Sequence, residues 1–145
     1  MIRYLLVSVP VIVVAIFLIS FGPGDYSNDV LFHVTLADPA QYSRGVYVDE
    51  FTMPAGKHML RFVPNGDSPQ DLTVTVSSPA FSFTEQFSLH GTKHDMGISE
   101  YYTWEYIGNS EINVSSEQQV RITINPHGNV MGPVSVSLGP SHMDG

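Results

Sequence analysis

Residues 60–76 read LRFVPNGDSPQDLTVTV, and residues 122–138 read ITINPHGNVMGPVSVSL. At a constant offset of 62 and without a gap, Leu60, Phe62, Pro64, Gly66, Leu72, Val74 and Val76 fall on Ile122, Ile124, Pro126, Gly128, Val134, Val136 and Leu138. Thr73 and Thr75 fall on Ser135 and Ser137. Aliphatic and hydroxyl residues alternate in both copies, the pattern of a half-buried antiparallel strand with one face on a core and one in water. The polar partners are otherwise unrelated, so the echo reads as two similar hairpins in one domain rather than a repeat array.

Working outward, no stretch beyond residue 22 carries a convincing 3.6-residue period. Short alternating runs predict strands at Val30–Leu36, Val46–Met53, His58–Val63, Leu72–Ser77, Phe81–Leu89, Glu100–Ile107, Glu111–Val114, Val120–Asn125 and Val134–Leu138. Pro54-Ala55-Gly56, Pro64-Asn65-Gly66-Asp67 and Pro126-His127-Gly128-Asn129 supply the turns. Short strands at regular spacing imply an all-β, antiparallel β-sandwich or jelly-roll-like domain over residues 30–140, with 141–145 a flexible tail.

Before that domain, Tyr4 to Phe21 is an uncharged run, YLLVSVPVIVVAIFLISF. As a helix it measures roughly 27 Å, close to the hydrocarbon thickness of a bilayer. The run is longer than a usual signal-peptide core and ends in bulky Ile19 and Phe21, so an uncleaved anchor over residues 1–22 is preferred to a cleaved leader. A buried core helix would show a polar stripe, and none is present. Arg3 precedes the run and Asp25 and Asp29 follow it, which places the N-terminus in the cytoplasm and the domain outside. Residues 23–29 then form a linker. The membrane partner is lipid, through residues 4–21, and a protein partner in or at the membrane is expected beside it.

Charge excludes one class of function. All fourteen acidic residues lie beyond the apolar run, against five basic ones, a formal charge of −9. Such a surface repels phosphate backbones, so nucleic acid is not a partner. The chain has no cysteine, which removes thiol nucleophiles, cysteine-ligated zinc, iron–sulfur clusters, a lipid-attachment cysteine and the blue-copper centre.

The stretch FTMPAGKHMLRFVPNGDSPQDLTVTV, Phe51 to Val76, resembles the strand-turn-strand pattern of GOLD (emp24-type) β-sandwich domains. The resemblance covers about a fifth of the chain and implies a β-sandwich. Emp24-type domains precede a C-terminal membrane helix, whereas the expected anchor here is N-terminal, and no functional residue carries over.

The candidate chemistry is sparse. His90-Gly91-Thr92-Lys93-His94-Asp95-Met96 falls in the longest expected connection between strands. His90 and His94, with His127, Asp95 or Glu85, form a candidate zinc or copper site, against a plain solvated loop as the alternative. His58-Met59 and His142-Met143 carry copper-type ligands, but adjacent strand residues point to opposite faces. No G-x-S-x-G elbow occurs, and paired carboxylates such as Asp49/Glu50 or Glu100/Glu105 imitate a glycosidase couple without an evident cleft. Tyr102, Trp104 and Tyr106 share one strand face: core, or a contact surface for protein or carbohydrate. Asn113-Val114-Ser115 is a glycosylation sequon. The reading is a non-enzymatic, membrane-anchored interaction module without a cofactor, such as an accessory subunit of a membrane or cell-envelope complex. An exported copper- or zinc-binding domain and a carbohydrate-binding module are the alternatives.

Overall fold

A computed structural model of the chain describes residues 30–140. The expected anchor, linker and tail lie outside the described residues. Nine strands follow in order: β1 (Phe32–Leu36), β2 (Tyr47–Met53), β3 (Gly56–Pro64), β4 (Asp71–Ser78), β5 (Phe81–Asp95), β6 (Glu100–Ile107), β7 (Glu111–Val114), β8 (Gln118–Asn125) and β9 (Val134–Pro140). The only helical segment among them is a 3-10 turn at Pro39–Gln41, closed by a capping box between Asp38 and Gln41. No helix among the described residues is long and apolar enough to cross a membrane.

The strands form two antiparallel sheets, ordered β1-β9-β3-β7 and β2-β8-β4-β5-β6. Alternation decides what each sheet turns inward. Leu60, Val134, Val136 and Leu138 of the first meet Leu72, Val74, Val76, Ile122 and Ile124 of the second in one core. Burying a side chain such as Leu72 contributes roughly 1.5–3 kcal/mol. Rings join the layers at both flanks: Phe32 lies 5.3 Å from Phe51, and Phe62 lies 4.8 Å from Phe87 and 5.2 Å from Tyr106.

The echoed segments are both present but are not hairpins. β3 and β4 sit in different sheets, as do β8 and β9, so each copy is an arch that crosses the core. The arches interlock: β3 pairs with β9 and β4 with β8. Leu60 pairs with Leu138 and Phe62 with Val136, and the offset carries these pairs onto Ile122 with Val76 and Ile124 with Val74, which also pair. The domain therefore has an internal pseudo-two-fold axis. The arch loops meet on it, where the Asn129 side-chain amide donates to the carbonyl of Asp67, its own equivalent, at 3.4 Å. The Ser68 hydroxyl donates to the Pro133 carbonyl beside it.

Register also gives the molecule two ends. β1 begins beside the end of β9 and the start of β3, so the chain enters the sandwich there. The arch loops lie at the opposite, far end.

Candidate functional site

β5 pairs with β4 over Phe81–Ser88 and then continues, pairing with β6 alone as far as Asp95. The overrun, β5 from Leu89 and its β6 partners, is a two-stranded ribbon leaving the far end. At about 3.3 Å per residue it projects roughly 23 Å. The segment expected to be a connection is thus mostly strand. Aliphatic alternation is absent because no core lies beneath a ribbon; Gly91 and the charged residues are compatible with it for the same reason.

The ribbon is fastened at its base. The Tyr106 hydroxyl donates to the Pro69 carbonyl at 2.6 Å, and its ring packs on Phe62. Burial, then the nearby Tyr42 and Asp71, holds its phenol well above the ordinary tyrosine range, with a hydrogen bond from Ser68 working against them. Above it, the Trp104 indole lies across Gly91 and reaches Gly66 of the β3–β4 arch: a Cβ at position 91 would stand 2.5 Å from the ring, and one at 66 would stand 3.0 Å away. Two glycines, one opposite in the ribbon and one in the loop, make the slot for that ring. Tyr102 stacks on Trp104 with centroids 5.7 Å apart, and Tyr101 stacks on His94 at 4.7 Å on the other face. At the apex Met96 is 65% and Ile98 100% exposed, with Tyr101 and Tyr102 about half exposed behind them. The three aromatic residues expected to share a face do so: Tyr106 and Trp104 are half-buried, Tyr106 against the edge of the core, and Tyr102 is exposed.

The histidines are dispersed. His90 and His94 share a strand face but stand four residues apart, roughly 13 Å. His94 Nε2 lies 2.9 Å from the Thr103 hydroxyl. His127, in the β8–β9 arch, lies 2.7 Å from Thr73 Oγ1. Asp95 accepts from the Gly97 amide and Glu85 from the Asn109 amide. Among the described residues no group of three or more histidines and carboxylates is placed to hold a metal ion. His58 is buried in β3 with Nε2 2.8 Å from the Pro54 carbonyl, and Met59 faces the other way; His142-Met143 lies outside the described residues.

Neither carboxylate pair lines a shared cleft. Asp49 receives the Tyr47 hydroxyl, while Glu50 bridges Arg121 at 3.2 Å. An open depression of about 390 Å³ holds Glu50, Arg121 and Ser77 but no second carboxylate or histidine. Glu100 bridges Lys93 at 3.1 Å across the ribbon. Asn113 of the sequon is exposed on β7. A smaller cleft of about 230 Å³ opens beside β6 and is lined by Arg61, Phe62, Trp104, Glu105, Tyr106 and Ser110 among others.

Compared with family models, with curated proteins and with solved structures, the chain finds no match.

Proposed function

We propose that this chain is a membrane-anchored, extracytoplasmic, non-enzymatic interaction module, with lipid as the partner of residues 4–21 and a protein as the partner of the domain. The observation that supports this reading is the β5–β6 ribbon. It leaves the end opposite chain entry and carries exposed Met96, Ile98, Tyr101 and Tyr102. Exposed aromatic and aliphatic side chains on a projection are the composition of a contact surface. A tether at the entry end would hold this surface away from the bilayer.

The test fractionates cells making the full chain. The chain should stay with membranes through alkaline extraction and be cut by protease added outside. Deletion of residues 1–22 should release it. Extraction of the full chain as a soluble cytosolic protein would overturn the reading.

The Tyr102–Trp104 stack supports a second reading, carbohydrate binding, in which glycans titrated onto the protein change Trp104 fluorescence.

A further inference from the structure

The sandwich has four edge strands, β1 and β7 in one sheet and β2 and β6 in the other. An open edge is a row of unpaired amides and carbonyls that templates another strand unless it is blunted. β1 and β7 are short, at five and four residues. β2 carries adjacent acids, Asp49 and Glu50, in its middle, and pairing two copies of β2 about its centre sets acid against acid. β6 is eight residues long and has neither protection: its acids stand at Glu100 and Glu105, with Tyr101, Tyr102, Thr103 and Trp104 between them.

The hydrogen-bond phase of the ribbon says which groups are open. The Met96 amide donates to the Ser99 carbonyl at 2.8 Å and the Leu89 amide turns away from β6 to the Gln70 carbonyl. Antiparallel alternation then points the backbone groups of Tyr101, Thr103 and Glu105 at β5, and those of Glu100, Tyr102, Trp104 and Tyr106 outward.

We infer that this edge pairs with the β6 edge of a second copy of the chain, antiparallel, joining the two five-stranded sheets into one. The register that engages every outward residue sets Glu100 opposite Tyr106 and Tyr102 opposite Trp104, with Thr103 opposite Thr103 on the two-fold axis. No like charges stand directly opposite each other in this register. The same register brings Glu100 of the second copy to the mouth of the cleft beside β6, which Arg61 and Glu105 both line. Antiparallel pairing sends the two sandwich bodies in opposite directions, so the entry ends lie at opposite poles. Resting on the anchored reading above, the pair bridges copies tethered in two facing membranes.

The absence of cysteine makes the test direct. Full-length chain with Thr103→Cys, in mild detergent, carries one thiol, on the predicted axis at a pair of closely spaced side chains. It should give a disulfide-linked dimer on mild oxidation, and Thr75→Cys, at the centre of the sheet, should not. Thr103→Asp places two carboxylates opposite each other, and Tyr102→Pro removes an outward amide that has no partner within the ribbon. Each should weaken dimerisation at least tenfold in sedimentation while leaving the far-ultraviolet circular dichroism of the sandwich unchanged. A monomer at every concentration, or equal cross-linking from Thr75→Cys, overturns the pairing. Full chain reconstituted into vesicles should then cluster them, and Thr103→Asp should abolish the clustering. Cross-linking in detergent without clustering keeps the pair and removes the facing-membrane arrangement.

Discussion

Trp104 is the residue on which the ribbon's attachment turns, and its neighbours are glycine because the indole occupies the space a Cβ would need. Gly91→Ala should push the ring out of its slot at a cost of about 1–3 kcal/mol. As Trp104 is the chain's only tryptophan, a red-shifted emission maximum with a lowered melting temperature would register the displacement. Unchanged emission would mean the ring does not lie on Gly91. Tyr106, one step deeper, carries a pH signature. Its folded pKa is raised, chiefly by burial, and Tyr42 and Tyr47 are raised in the same direction. A raised pKa stabilises the fold below the unfolded value, about 10, and that contribution disappears as pH climbs through the folded value. Urea unfolding should therefore show stability falling from about pH 9.5 upward. Tyr106→Phe should be less stable at neutral pH by about 1 kcal/mol, for its lost bond to Pro69, yet decline less on the alkaline side. Parallel alkaline declines would refute the assignment.

At the scale of elements, alternation carried most of the fold. All nine expected strands exist, and those that line the core turn aliphatics toward it on alternate residues. Alternation says which side chains go inward but not which sheet supplies them, so an arch and a hairpin have the same sequence pattern. That is why Leu60–Val76 and Ile122–Leu138 read as hairpins while the structure interlocks them as arches. The candidate site was legible only where it touches the core. Tyr106, Trp104 and Tyr102 were visible as one face, whereas β5 beyond Leu89 had no buried face to mark it as strand. The interlock has a dynamic consequence. Amides of β4 and β8, paired on both sides beneath the core, should exchange slowest with solvent, and those of Gly91–Thr103 fastest, since only one partner strand covers them. Hydrogen exchange followed by mass spectrometry reads this order. Protection of the isolated ribbon equal to that of β4 would show that something else covers it, which in a dilute sample points to the second copy proposed above. Dilution below the dimer's affinity should then restore the difference.

For the whole molecule, the ribbon and the sandwich are separable in the physical sense that they share few buried contacts. Beyond Leu89 the ribbon contributes no side chain to the core, and what fastens it, Trp104 and Tyr106, sits at its base. Replacing residues 93–102 by Asn-Gly, a dipeptide suited to a two-residue hairpin turn, should leave β5 and β6 joined at the hydrogen-bonded pair Thr92 and Thr103. The shortened chain should unfold cooperatively within about 1 kcal/mol of the parent, because the deleted residues bury little apolar surface and the closing loop becomes shorter. Urea unfolding monitored at Trp104 measures this. The result discriminates between two accounts of why the molecule carries such a projection. If the ribbon serves contact, the shortened domain keeps its stability and loses association with its partners. If it serves the fold, loss of the ribbon lowers stability by several kcal/mol, and the exposed Met96, Ile98 and tyrosines would need another explanation. The internal axis favours the first account: the two arches satisfy each other by symmetry, whereas the ribbon has no symmetry mate and breaks the pattern only at the far end, where the sandwich is already closed by Asp67, Ser68, Asn129 and Pro133.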